Sequence, residues 1–170
     1  MPDEQRRPSF RTTLPGVMTG TASPITRCRL LDLFADEIML VPLAALMHRN
    51  TPGEHDPERW AASEEKARDA MARLERQFAE LNEKLGDADY FCGAFSVADI
   101  SVFAMVFYAL RLGGPTLDQQ PALARWYRRA LARPAFSGIA SEILAANREM
   151  SAQVEGAFGG GKWLPEPLPA

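Results

Sequence analysis

The run Phe95-Ser96-Val97-Ala98-Asp99-Ile100 continues apolar to Leu112, and between Val97 and Leu110 only Asp99 and Ser101 interrupt it. A helix that is apolar on every side has no face to give to water, so this one belongs at the centre of a helical domain. Its start is written in two ways. Ser96 is a natural N-cap whose hydroxyl can accept from the Asp99 amide, while the Asp99 carboxylate can return to the Ser96 amide and complete a capping box. Phe95 ahead of the cap and Ile100 behind it have the spacing of a hydrophobic staple. A carboxylate beside a buried helix could act as a general base, but the box gives it a full structural task. Ser96 and Asp99 are therefore assigned to capping, not to chemistry.

Upstream of this central helix, Asp56-Pro57 pairs a cap residue with a proline at the first helical position, where the missing N–H costs nothing. Behind it Ala67, Met71, Leu74, Phe78, Leu81 and Leu85 form a seam spaced for a neighbouring helix, which Gly86 closes. Farther upstream, Ser23-Pro24 opens another helix with apolar residues at Leu30, Leu31, Phe34, Ile38, Val41, Ala45 and Leu46. Pro42 interrupts this stripe and should bend the helix by removing one backbone bond. With Asn50-Thr51-Pro52-Gly53 as the turn, the two helices are expected to form an antiparallel hairpin. Downstream, Gly113-Gly114-Pro115 ends the central helix. Pro121 opens a fourth helix with Leu123, Trp126, Tyr127, Ala130 and Leu131 inside, and it stops before Arg133-Pro134. A fifth helix is expected over about 135–154. No strand-like alternation and no internal repeat is visible, so the fold class is all-α, about five helices around one buried helix.

The ends read differently. Residues 1–23, with Pro2, Pro8, Pro15, Gly16 and Gly20, form an expected N-terminal tail too short for a strand-helix-strand unit, which needs about 30 residues. The helical domain is expected over 24–156. Residues 157–170, with Gly159-Gly160-Gly161 and alternating prolines, read as a Gly/Pro-rich C-terminal tail. Trp163 is unusual on such a tail and is expected to fold back onto the helices.

A chain of 170 residues with 46% hydrophobic and 24% charged residues has an ordinary globular composition. A formal charge of −3 gives no basic face for nucleic acid. No apolar run is long enough to span a membrane, and Arg6-Arg7 is followed by no apolar leader, so neither membrane nor secretion is expected. The two cysteines, Cys28 and Cys92, lie far apart and fit neither a zinc spacing nor a secreted disulfide framework, which favours a cytoplasmic location. Cys92 lies close ahead of the helix cap and is the better placed thiol, but its flanks read as loop packing. His48 and His55, with Glu54 between them, straddle Pro52-Gly53 without a third placed ligand, so no metal is expected.

The segments Leu81-Asn82-Glu83-Lys84-Leu85 and Tyr90-Phe91-Cys92-Gly93-Ala94 leading into Phe95–Ile100, with Pro121-Ala122-Leu123-Ala124-Arg125-Trp126-Tyr127 and Ala132-Arg133-Pro134-Ala135-Phe136, resemble the C-terminal helical domain of glutathione S-transferases. The resemblance covers about 24–154. It implies glutathione as co-substrate and a hydrophobic electrophile, or another small apolar ligand, as the second partner. It also implies a homodimer or a partner chain. In this family an acidic residue on the first helix often reaches the glutamyl amine of glutathione held by the other subunit, which makes Asp36 and Glu37 the carry-over candidates. Met39, Leu43 and Met47 fall where the family builds its hydrophobic substrate wall, although core packing competes for them. The family activates the thiol with a Tyr, Ser or Cys of a thioredoxin-like N-terminal domain, and residues 1–23 carry no pattern for one. The expectation is a helical half supplying the substrate wall. The alternative is a non-catalytic protein-interaction or ligand-binding module, and no catalytic residue is assigned.

Overall fold

The computed structural model describes residues 23–50, 56–150 and 161–165. Helix α1 (Pro24–Leu33) runs into a π-helical turn (Phe34–Met39) and then α2 (Leu40–Ala44), with a 3₁₀ turn at Met47–Asn50. There follow α3 (Pro57–Leu85), α4 (Val97–Arg111), α5 (Pro121–Leu131), α6 (Pro134–Met150) and a 3₁₀ turn at Gly161–Trp163. Among the described residues no strand occurs, only an isolated bridge between Cys92 and Ala94. The architecture is all-helical.

Helix α4 is the centre, packed on α1, the π turn, α2 and α5. It buries Ala98, Val102, Val106, Ala109 and Leu110 completely. Asp99 is also fully buried, and its carboxylate gathers four donors. The Ser96 amide and hydroxyl reach Oδ2 at 2.9 and 3.0 Å, and Phe91 N–H and Trp126 Nε1 reach Oδ1 at 3.3 and 2.8 Å. The capping box is present, and the same carboxylate ties the incoming loop and α5 to the central helix. Ile100 is 47% exposed, and the Phe95 ring sits against Tyr90 and Phe136. Phe136 on α6 gives Phe95 an apolar contact from another helix.

The apolar stripe of the first helix is displaced by one residue. Sequence spacing placed Ile38, Val41, Ala45 and Leu46 inside; Leu46 is buried and Ile38 packs partly buried against the core, but the other buried positions after Phe34 are Ala35, Met39, Pro42 and Leu43, and Val41 is 62% exposed. A π turn takes in an extra residue, and one residue is about 100° of helical rotation, so Met39, Pro42 and Leu43 turn inward and Val41 turns outward. The irregular turn lies before Pro42, not at it. A proline ring crowds the carbonyl four residues earlier and leaves it without a donor. That carbonyl is Ile38 O, and Gln77 Nε2 of α3 reaches it at 3.3 Å.

Helix α3 is capped as its sequence predicts, with Asp56 accepting from Glu58 N and Arg59 N at 2.9 and 3.1 Å. It runs antiparallel to α2, since Ile38 meets Gln77 and His48 meets Glu64. Near its end Asn82 Oδ1 accepts from Ala122 N and Leu123 N at 2.8 and 3.2 Å. It thereby caps α5, whose own N-cap Gln120 offers no side chain. Beyond α4, a Cβ at Gly114 would meet Ala109 O at 2.6 Å, so this close approach requires glycine. Trp163 does fold back: it is 4% exposed, with Arg128 over its ring at 4.5 Å and Lys162 paired to Asp118.

Candidate functional site

The face that the π turn brings outward borders a groove of about 670 Å³ between α2 and α3. Glu37, Ile38, Val41 and Pro42 form one wall, and Arg73, Arg76, Gln77, Ala79, Glu80 and Glu83 form the other. Arg73 and Arg76 are one turn apart and exposed, and neither makes an ion pair with another described residue. Glu37 faces them across the groove, whereas Glu80 is paired to Lys84 at 3.3 Å. Gln77 is 7% exposed, and its Oε1 finds no hydrogen-bond partner among the described residues. The groove thus offers Glu37 on one wall and, on the other, the Arg73–Arg76 pair with Glu80 and Glu83 farther along α3, over an apolar strip of Ile38, Val41 and Pro42. That arrangement suits a small molecule bearing both an ammonium and carboxylates.

The candidate residues separate accordingly. Asp36 and Glu37 are exposed in the π turn, and Glu37 lines the groove. Met39 and Leu43, expected on a substrate wall, are 0% and 1% exposed and pack into the core, because the π turn rotates them inward. Met47 is 42% exposed. Ser96 and Asp99 sit in the capping network, away from the groove. The sequence reading did not single out Arg73, Arg76 and Gln77, which look there like ordinary surface positions of a long amphipathic helix.

At the far end of the hairpin, Arg49 donates to both carboxylate oxygens of Glu64 at 2.9 and 2.7 Å, and to the carbonyls of Leu112 and Gly113. His48 Nε2 lies 2.7 Å from Glu64 Oε1 and Nδ1 lies 3.0 Å from Ala45 O, so the ring is held within the protein fold. The Arg49 hydrogen bonds, joined by His48 and opposed by partial burial, hold the Glu64 carboxyl at about 2, well below its ordinary value. Glu54 and His55 lie outside the described residues.

The two cysteines correct the sequence reading. Cys28 on α1 and Cys92 before α4 form a disulfide with Cα atoms 5.9 Å apart, bridging 64 positions of chain. Helix α1 crosses the loop that precedes α4, a juxtaposition that spacing along the chain cannot reveal. Tyr127 is fully buried, and burial pushes its phenol well above the ordinary value, so it cannot serve a reaction in solvent. None of the described residues lining the groove is a Tyr, Ser or Cys.

Among the described residues no helix is long and apolar enough to cross a membrane. No curated protein and no solved structure gives a significant match to the chain. Residues 34–134 match the family described as "Glutathione S-transferase, C-terminal domain", a span running from the π turn through α4 and α5 to the start of α6. That span is more than half of the chain, and it contains the capping network, the groove and the central helix: the chain belongs to the glutathione S-transferase C-terminal domain family.

Proposed function

We propose that this chain binds glutathione along the groove between α2 and α3 and forms the helical wall of a site that conjugates glutathione to apolar electrophiles. The observation that carries this reading is the charge arrangement: Glu37 on one wall and the Arg73–Arg76 pair on the other. A glutathione ammonium would meet Glu37, with Asp36 beside it, and its carboxylates would meet the guanidinium groups. Val41 and the exposed Met47 would form the apolar wall; Met39 and Leu43 would support it from the core. A thioredoxin-like domain on a partner chain would supply the group that activates the thiol.

A second reading, a non-catalytic interaction module, is favoured by a different observation. Leu33, Leu40, Val41 and Met47 are each more than 40% exposed along α1, α2 and the turn that follows, an apolar strip that another protein surface could cover. Retention on glutathione agarose combined with turnover of a chlorodinitrobenzene separates the two. Retention without turnover is expected for the chain alone, and turnover once a thioredoxin-like domain is added. Failure to be retained would favour the interaction module.

A further inference from the structure

The Cys28–Cys92 disulfide joins two segments that are held very differently. The Cys92 side is rigid: Phe91 N–H is bound to Asp99 and the Phe91 ring meets Trp126 with centroids 5.1 Å apart. The Cys28 side is not. None of residues 25–30 is buried, and the first firm holds on α1 are Leu31 and the 2.5 Å hydrogen bond from Ser101 to Asp32. Among the described residues the disulfide is thus the main tether of the first two turns of α1, beside the partly buried packing of Cys28 on the core. Both cysteines are partly exposed, so a small thiol can reach the sulfurs. Arg27 and Arg29 flank Cys28, with Asp32 the nearest acid on the same helix, 3.8 Å from Arg29.

We propose that Cys28–Cys92 is a thiol–disulfide exchange site that takes small anionic thiols and acts as a latch on the start of α1. A carboxylate-bearing thiolate, gathered by Arg27 and Arg29, attacks Cys28 Sγ. The electron pair of the S–S bond passes to Cys92, which leaves as a thiolate and takes a proton from water. A second thiolate then displaces Cys28 and releases the small-molecule disulfide, so that two thiols are oxidised as one protein disulfide is reduced. Either product leaves α1 without its tether.

The test uses the full chain, oxidised at the start, with thioglycolate as the anionic thiol and 2-mercaptoethanol as the neutral one. Peptide mapping is expected to find the mixed disulfide on Cys28, formed severalfold faster by thioglycolate at low salt, with Arg27→Gln/Arg29→Gln removing that advantage. Hydrogen exchange of the amides of residues 27–30 is expected to rise about tenfold on reduction, while those of α4 stay unchanged. A disulfide inert to both thiols would overturn the exchange site. Equal rates for the two thiols would overturn the anionic preference. Unchanged α1 exchange after complete reduction would overturn the latch. Because wild-type protein gives all the primary readouts, no variant needs to fold for the proposal to fail.

Discussion

Asp99 ties three parts of the fold together, because its two oxygens serve the cap of α4, the Phe91 amide and the Trp126 indole. Asp99→Ala leaves those buried donors without an acceptor, each worth about 1–3 kcal/mol, and should destabilise the protein by about 4 kcal/mol. Denaturant unfolding checks this, and a loss under about 1 kcal/mol would show that the network matters little. Glu64 predicts a pH dependence. Its carboxyl titrates at about 2 in the folded protein and near 4.5 when unperturbed, so its contribution is complete above about pH 5 and disappears as pH falls toward 2. Its side chain is 30% exposed, so water screens the effect and the loss is smaller than the shift alone implies. The urea midpoint of Glu64→Gln should depend less on pH across that window than that of the wild type. Identical slopes would contradict the assignment.

At the level of elements, the π turn decides which side chains are core and which are surface. Leu43→Ala should cost about 3 kcal/mol because Leu43 is enclosed, whereas Val41→Ala should change stability by less than about 0.5 kcal/mol. Unfolding midpoints of the two variants test the phase directly, and the opposite order would place the turn elsewhere. The sequence could not show this shift. Its 3.6-residue stripe through Ile38, Val41 and Ala45 is a sound reading of an unbroken α-helix, and Pro42 marks an irregularity without saying on which side the chain absorbs it. The caps of α3 and α4 were legible because Asp56 and Ser96–Asp99 are local in sequence. The cap of α5 was not, because Asn82 comes from a different helix. The Cys28–Cys92 pair was hidden for the same reason: chain separation gives no distance until helices are placed.

For the whole molecule, an apolar α4 surrounded by amphipathic helices was readable from one stretch of sequence, and the family follows from the same residues. The groove was only half legible. Glu37 was named through family resemblance, but its counterparts Arg73 and Arg76 become part of a site only when α3 folds back antiparallel to α2. Trp163 docks against Arg128 and, with Leu164, packs on the helical core. The proposed function requires that opposed charges across the α2–α3 groove recognise glutathione. Isothermal titration of glutathione into the wild type and into Glu37→Gln tests it most directly. Saturable binding by the wild type is expected, weakened about tenfold by Glu37→Gln through loss of one charge-assisted hydrogen bond. Absence of binding, or equal affinity in the two proteins, would contradict it.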